Sequence, residues 1–187
     1  ARDQWLQRTI SRTGEQLTAV RDRVLDAAKV ARHSLVLDLK ADSGLLTWEA
    51  LRRAPEGGVY ALARNLRDAE AMRQMATKLD ELARPQVVQG ALTDLPRLLA
   101  DEPDLRFDAL VGFNALITSA DKVQTIEVLT QLLADDGRVS LAERVPRHTQ
   151  RLYQLLDLSA LDPELAGRLA AAEEAIYMAA ANPLVHW

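Results

Sequence analysis

The segment from Ser34 to Thr47, SLVLDLKADSGLLT, constrains the fold more than any other stretch. Leu35, Val36, Leu37 and Leu39 flank Asp38, a short polar turn containing Gly44 follows, and an apolar-rich helix opens at Leu45. Strand, tight turn and helix in that order form the opening unit of an open parallel sheet. The same alternation recurs downstream, so the chain is expected to be an α/β domain.

Residues 1 to about 31 are expected to form a helix. Leu17, Val20, Val24 and Ala28 recur at helical spacing, Gly14 loosens the register, and the helix leans on an edge of the sheet. Strands are predicted at 34–39, 59–62, 86–89, 107–112 and 138–142. Helices are predicted at 45–53, 69–83 and 94–99, from about Ser119, after Pro146 to about Leu156, and from Pro163 with Asp162 as its cap. Met72, Met75, Ala76, Leu79 and Leu82 form one apolar stripe, read as core. Leu165, Leu169, Ala172, Ile176 and Tyr177 form another. Crossovers of this length impose parallel pairing and right-handed connections.

Composition excludes several chemistries. There is no cysteine, so disulfides, thiolate catalysis and cysteine-ligated metal centres are ruled out. The histidines, His33, His148 and His186, are far apart in sequence, which argues against a metal site. A net charge of −4 gives no long-range pull on nucleic acid or anionic lipid. No apolar run reaches membrane-spanning length and no secretory signal is visible, so a cytoplasmic location is expected. The chain opens Ala1-Arg2-Asp3 without an initiator methionine and closes on Pro183-Leu184-Val185-His186-Trp187. Those ends suit a fragment of a larger protein, or a processed chain. The expected organisation is a helical segment, 1–31, followed by one sheet domain, 32–187.

Val36-Leu37-Asp38-Leu39-Lys40-Ala41-Asp42-Ser43-Gly44 resembles the first motif of class I S-adenosylmethionine-dependent methyltransferases, which reads apolar-apolar-Asp-apolar-Gly-x-Gly-x-Gly. Gly57 to Leu62, Val88 to Ala91, Phe107 to Val111 and Leu132 to Val139 resemble the later strands of that family. The resemblance runs from about residue 17 to residue 144. It implies a Rossmann-like, doubly wound, mainly parallel sheet with helices on both faces, preceded by the N-terminal helix. The family's C-terminal antiparallel pair would be truncated, with Leu184 to Trp187 as its start and an exposed sheet edge beside it.

The same resemblance implies cofactor-binding positions at Asp38, Lys40, Asp42, Gly44, Ala63, Ala91 and Asn114, with S-adenosylmethionine as the cofactor if the site functions. The pattern departs from the family at those positions. Lys40 and Asp42 stand where glycines let the backbone approach the ligand. Ala63 stands where an acidic residue accepts both ribose hydroxyls, and Arg64 after it offers a guanidinium suited to phosphate instead. Ala91 stands where an acidic residue often meets the adenine; Asp94 either compensates or caps the helix after it. Losses confined to a ligand site, with the apolar core kept, imply a scaffold or interaction module that has lost or weakened cofactor binding. The alternative is a working methyltransferase on a small molecule or protein.

No diagnostic catalytic residue emerges, as methyl transfer from a sulfonium needs alignment and water exclusion more than an acid or base. Asn114 either contacts a ligand or satisfies turn backbone, and His148 is either a general base or simply exposed. Expected partners are other domains of the same polypeptide and, through the exposed sheet edge, a second copy of the chain; neither nucleic acid nor membrane is expected.

Overall fold

A computed structural model describes residues 2–179, with side chains from residue 13 onward. Its centre is a five-stranded, all-parallel sheet in the order β3-β2-β1-β4-β5. The strands are β1, Leu35–Asp38; β2, Gly58–Ala63; β3, Gln86–Gln89; β4, Phe107–Phe113; and β5, Leu133–Ala142. Val36 lies between Val59 of β2 and Ala109 of β4, so β1 is the central strand. Its residues from Val36 to Asp38 are all buried, as a strand covered on both faces requires.

Helices cover both faces. On one, α1 (Arg2–Ala27) and α2 (Thr47–Arg53) pack Val24, Leu25, Ala28, Leu46 and Ala50 onto Val36, Val59, Ala109 and Val111. A neighbouring cluster seats Met72 of α3 (Leu66–Ala76) on Ala61 and Ala41. On the other face, Leu95 and Leu99, in and after α4 (Leu95–Leu98), pack with Leu129 of α5 (Lys122–Thr130) over Leu37, Leu62, Phe107 and Leu110. Helix α1 therefore lies on one face of the sheet, over β4 and the edge strand β5. It runs unbroken through Gly14, whose missing side chain faces open space. It stops before residue 31 because Lys29 adopts a left-handed conformation (φ 54°) and Val30 N donates back to Leu25 O at 3.1 Å.

An ion-pair cluster joins α1 to α2. Arg53 bonds Asp22 and Asp26 of α1 and also Glu49, whose carboxylate accepts from Arg52 as well. The Arg52 and Arg53 guanidinia outweigh partial burial and hold the Glu49 carboxyl down at about 2.

Other departures have local causes. Helix α3 begins earlier than expected because the Asn65 side chain accepts from Asp68 N at 2.9 Å. It ends at Ala76, and Pro85 favours an extended residue before it, seen at Arg84 (ψ 145°). Only Met72 and Ala76 of the expected stripe are buried; Met75, Leu79 and Leu82 are exposed. Helix α5 starts at Lys122, capped by Asp121, and leaves Val123 exposed. Strand β5 begins at Leu133, before the expected 138, because residues 134–137 form an irregular stretch inside it, where the pairing register with β4 shifts between Phe107 and Ala109.

Beyond β5, the chain forms α6 (Leu152–Leu155) and α7 (Pro163–Met178). The Arg151 guanidinium, 4.1 Å over the Tyr177 ring, and Glu173, which accepts from Leu152 N and Tyr153 N, hold the two together. The expected buried side of α7 is exposed: Leu165, Leu169 and Ile176 are all 40% accessible or more. The strand start expected at Leu184–Trp187 lies outside the described residues.

Asp162 caps α7 as expected, accepting from Glu164 N at 2.9 Å and Leu165 N at 3.3 Å, with Pro163 at the first helical position. Asp162→Ala is expected to destabilise α7 by about 0.5–2 kcal/mol. Amide hydrogen exchange checks this: α7 amides exchange faster while β1 and β4 amides stay unchanged.

Candidate functional site

Parallel pairing brings every strand's carboxyl end to one rim. Asp38 ends β1, Ala63 ends β2, Ala91 follows β3, Asn114 follows β4 and Glu143 follows β5. Ligands of open α/β sheets bind outside these ends, where strand order reverses. In this sheet the reversal lies between β1 and β4.

The β1–α2 turn is closed on itself. Asp38 is 1% exposed, and both its carboxylate oxygens are engaged: Thr47 Oγ1 donates to Oδ2 at 2.7 Å and Lys40 N to Oδ1 at 3.1 Å. Burial outweighs these bonds and pushes the Asp38 carboxyl up to about 6. Ala41 N donates to Leu62 O at 3.0 Å, pinning the turn to β2. The Lys40 ammonium lies 3.6 Å from the Asp42 carboxylate, so these two side chains partner each other.

Gly44 is the one position here where glycine is required. Its φ is +68°, and a Cβ would lie 2.1 Å from Trp48 Nε1. The Trp48 indole therefore occupies the space beside the glycine, and its buried Nε1 has no hydrogen-bond partner among the described residues.

At the end of β2, Ala63 is buried and presents no acceptor. Arg64 projects instead, and its Nη2 donates to Ala115 O in the β4–α5 segment at 3.2 Å. Ala91 N is held by Asp94 Oδ2 at 3.3 Å, so Asp94 organises the turn after β3, in line with its capping role. Asn114 takes φ 53° and its Oδ1 accepts from Arg144 N at 2.8 Å, which spends its side-chain oxygen on the backbone of the neighbouring strand end. His148 is exposed in a short turn, 146–148.

Glu143 was given no role by the sequence. Its Oε1 accepts from Ala115 N at 2.6 Å and Leu116 N at 3.0 Å, fixing the segment after β4. Burial pushes its carboxyl up from the ordinary value, against those two bonds. The only signal in the sequence was its place directly after β5.

Three cavities bear on function. The first, of about 370 Å³, opens at the rim between Arg64, Ala91, Thr93, Ala115 and Ser119. A second, of about 730 Å³ and mostly apolar, lies across Thr118 between Ile117, Pro146 and helices α6 and α7. A third, of about 390 Å³, lies between α2 and the segment 79–84. Residues 38 to 46 wall none of them. Among the described residues there is no cluster suited to a metal ion, and no helix is long and apolar enough to cross a membrane.

No family model and no curated protein matches the chain. Solved structures do. A glycopeptide N-methyltransferase, MtfA, complexed with sinefungin matches with a TM-score of 0.54 at 21% identity, over 72% of this chain and 53% of that one. A coclaurine N-methyltransferase bound to N-methylheliamine and SAH matches with a TM-score of 0.54 at 16% identity, over 67% and 35%. The YcgJ protein of Bacillus subtilis matches with a TM-score of 0.57 at 18% identity, over 67% and 50%. The chain spans between about a third and about half the length of these proteins. At these identities the likeness establishes the fold: the Rossmann-like sheet of S-adenosylmethionine-dependent methyltransferases.

Proposed function

We propose that the chain is a methyltransferase-like domain, degenerate in cofactor binding, that acts as a scaffold or interaction module within a larger protein. One observation carries the reading. The β1–α2 turn, where the fold would hold the methionine end of the cofactor, is closed: Asp38 is consumed by Thr47 and Lys40 N, Lys40 pairs with Asp42, and the Trp48 indole abuts Gly44. The residues present do not fit the cofactor there, and the ribose acceptor is replaced by Ala63 and Arg64. The partners proposed are other domains of the same polypeptide, for which the exposed apolar residues of α6 and α7 offer a face, and a second copy of the chain along β5, the sheet edge.

A working methyltransferase is the second reading. The apolar cavity across Thr118 favours it, because it would give an apolar acceptor a place beside the rim. Calorimetric titration with S-adenosylmethionine and S-adenosylhomocysteine separates the two. The scaffold reading expects no heat and no thermal stabilisation at millimolar ligand. Micromolar binding overturns it.

A further inference from the structure

We propose that the rim cavity between β2, β3 and the β4–α5 segment takes a nucleoside carrying a phosphate on its ribose, and that Arg64 selects it. The cavity, at about 370 Å³, lies within the ordinary range for small-molecule sites, roughly 300–1,000 Å³. Among the residues that wall it, Arg64 is the only ionised side chain; the others are alanine, leucine, threonine and serine. Small apolar walls from Ala91, Leu92 and Ala115 suit the faces of a flat base, and Thr93 and Thr118 offer hydroxyls at its edges.

Arg64 sets the sign of the ligand. A guanidinium carries five N–H donors and no acceptor. One donor is used on Ala115 O, and among the described residues no carboxylate pairs with this side chain. A strand-end carboxylate would accept from both hydroxyls of a neutral ribose; a guanidinium gains far more from an anion, to which it can give two parallel charge-assisted bonds. Backbone pairing places it well, because Ala63 lies opposite Gln89 and Arg64 therefore rises beside the turn at Gly90 and Ala91. Arg64 and Ala115, the residue it bonds, both wall the cavity, so the guanidinium lies against the space a ligand's phosphate would enter.

The proposal rests on this cavity and not on the closed turn after β1, so it can fail independently of the scaffold reading. The test is calorimetric titration of the purified chain with adenosine 2′-monophosphate, adenosine and inorganic phosphate, each also against Arg64→Gln and Arg64→Lys. The nucleotide is expected to bind about tenfold to a hundredfold more tightly than adenosine, and more tightly than phosphate alone. Arg64→Gln is expected to bring the nucleotide down to the level of adenosine, and Arg64→Lys to keep part of the preference, with both urea midpoints close to the parent's. The comparison of nucleotide with adenosine on the parent chain stands even if a variant fails to fold. Equal affinity for nucleotide and adenosine, phosphate binding as tightly as the nucleotide, an unaffected Arg64→Gln variant, or no heat with the nucleotide at millimolar concentration would each overturn it.

Discussion

Replacing Phe107 with alanine is expected to destabilise the domain by about 3–5 kcal/mol, the largest effect of any single change considered. Phe107 is fully buried at the start of β4. It belongs to the cluster that joins Leu37 and Leu62 of the sheet to Leu95, Leu99 and Leu129 on the helical side. Its ring meets Tyr60 edge-on, at 5.3 Å between centroids and 78° between planes. Truncation removes the transfer free energy of the ring and leaves a cavity that rigid strands on either side cannot collapse. Its own carbonyl adds to the constraint: a Cβ on Gly137 would lie 2.7 Å from Phe107 O, so the two strand segments approach closely there. Urea unfolding of parent and variant measures the loss; a difference below about 1.5 kcal/mol would place Phe107 outside the core that holds the sheet together.

The second large effect is on the pH dependence of stability, through Asp38. Its carboxyl is pushed from 3.8 up to about 6 because burial disfavours the ionised form more than its bonds to Thr47 and Lys40 favour it. The folded state therefore holds this proton to higher pH than the unfolded chain does. Stability from this group is fully present below the unfolded pKa and is lost as pH rises through about 6. At about 1.36 kcal/mol per unit, the ionised carboxylate costs on the order of 3 kcal/mol at neutral pH.

Asp38→Asn removes that cost while keeping an oxygen to accept from Thr47 or Lys40 N. The variant is expected to be more stable than the parent near neutrality, its advantage growing by about 1–2 kcal/mol between about pH 5 and pH 8. Urea midpoints across that range provide the check. A gap between parent and variant that does not change with pH would mean that Asp38 is ionised at every pH tested.

Much of the sheet was legible in the residues, because buried parallel strands announce themselves as short apolar runs between turn residues. Val36 to Asp38 and Phe107 to Gly112 fell close to their expected places for that reason. The helices were read less well. An apolar stripe shows that a face could be buried, not that anything covers it, and Met75, Leu79 and Leu165 have the spacing without the cover. Helix ends went astray where one cap decided them, as at Lys29 and Asn65. Of the candidate site, the missing acceptor at Ala63 was legible, since strand register alone fixes that position. Arg64 reaching Ala115 and Glu143 holding the backbone after β4 were not. Those contacts span 51 and 28 positions, respectively, and exist only once the strand ends stand side by side.

The placement of β1 has a consequence for how the chain assembles. One of its neighbours, β2, follows almost at once, but the other, β4, lies 73 positions on, where Asp108 also reaches back to Leu35 N. No strand pair in the sheet can close as a local hairpin, so every pairing waits on a crossover, and contact order is high. During synthesis the apolar flank of β1 stays unpaired until β4 has left the ribosome. Folding is thus expected to be slow for a domain of this size, with an intermediate built on β1, β2 and β3 whose open inner edge is the point most exposed to aggregation.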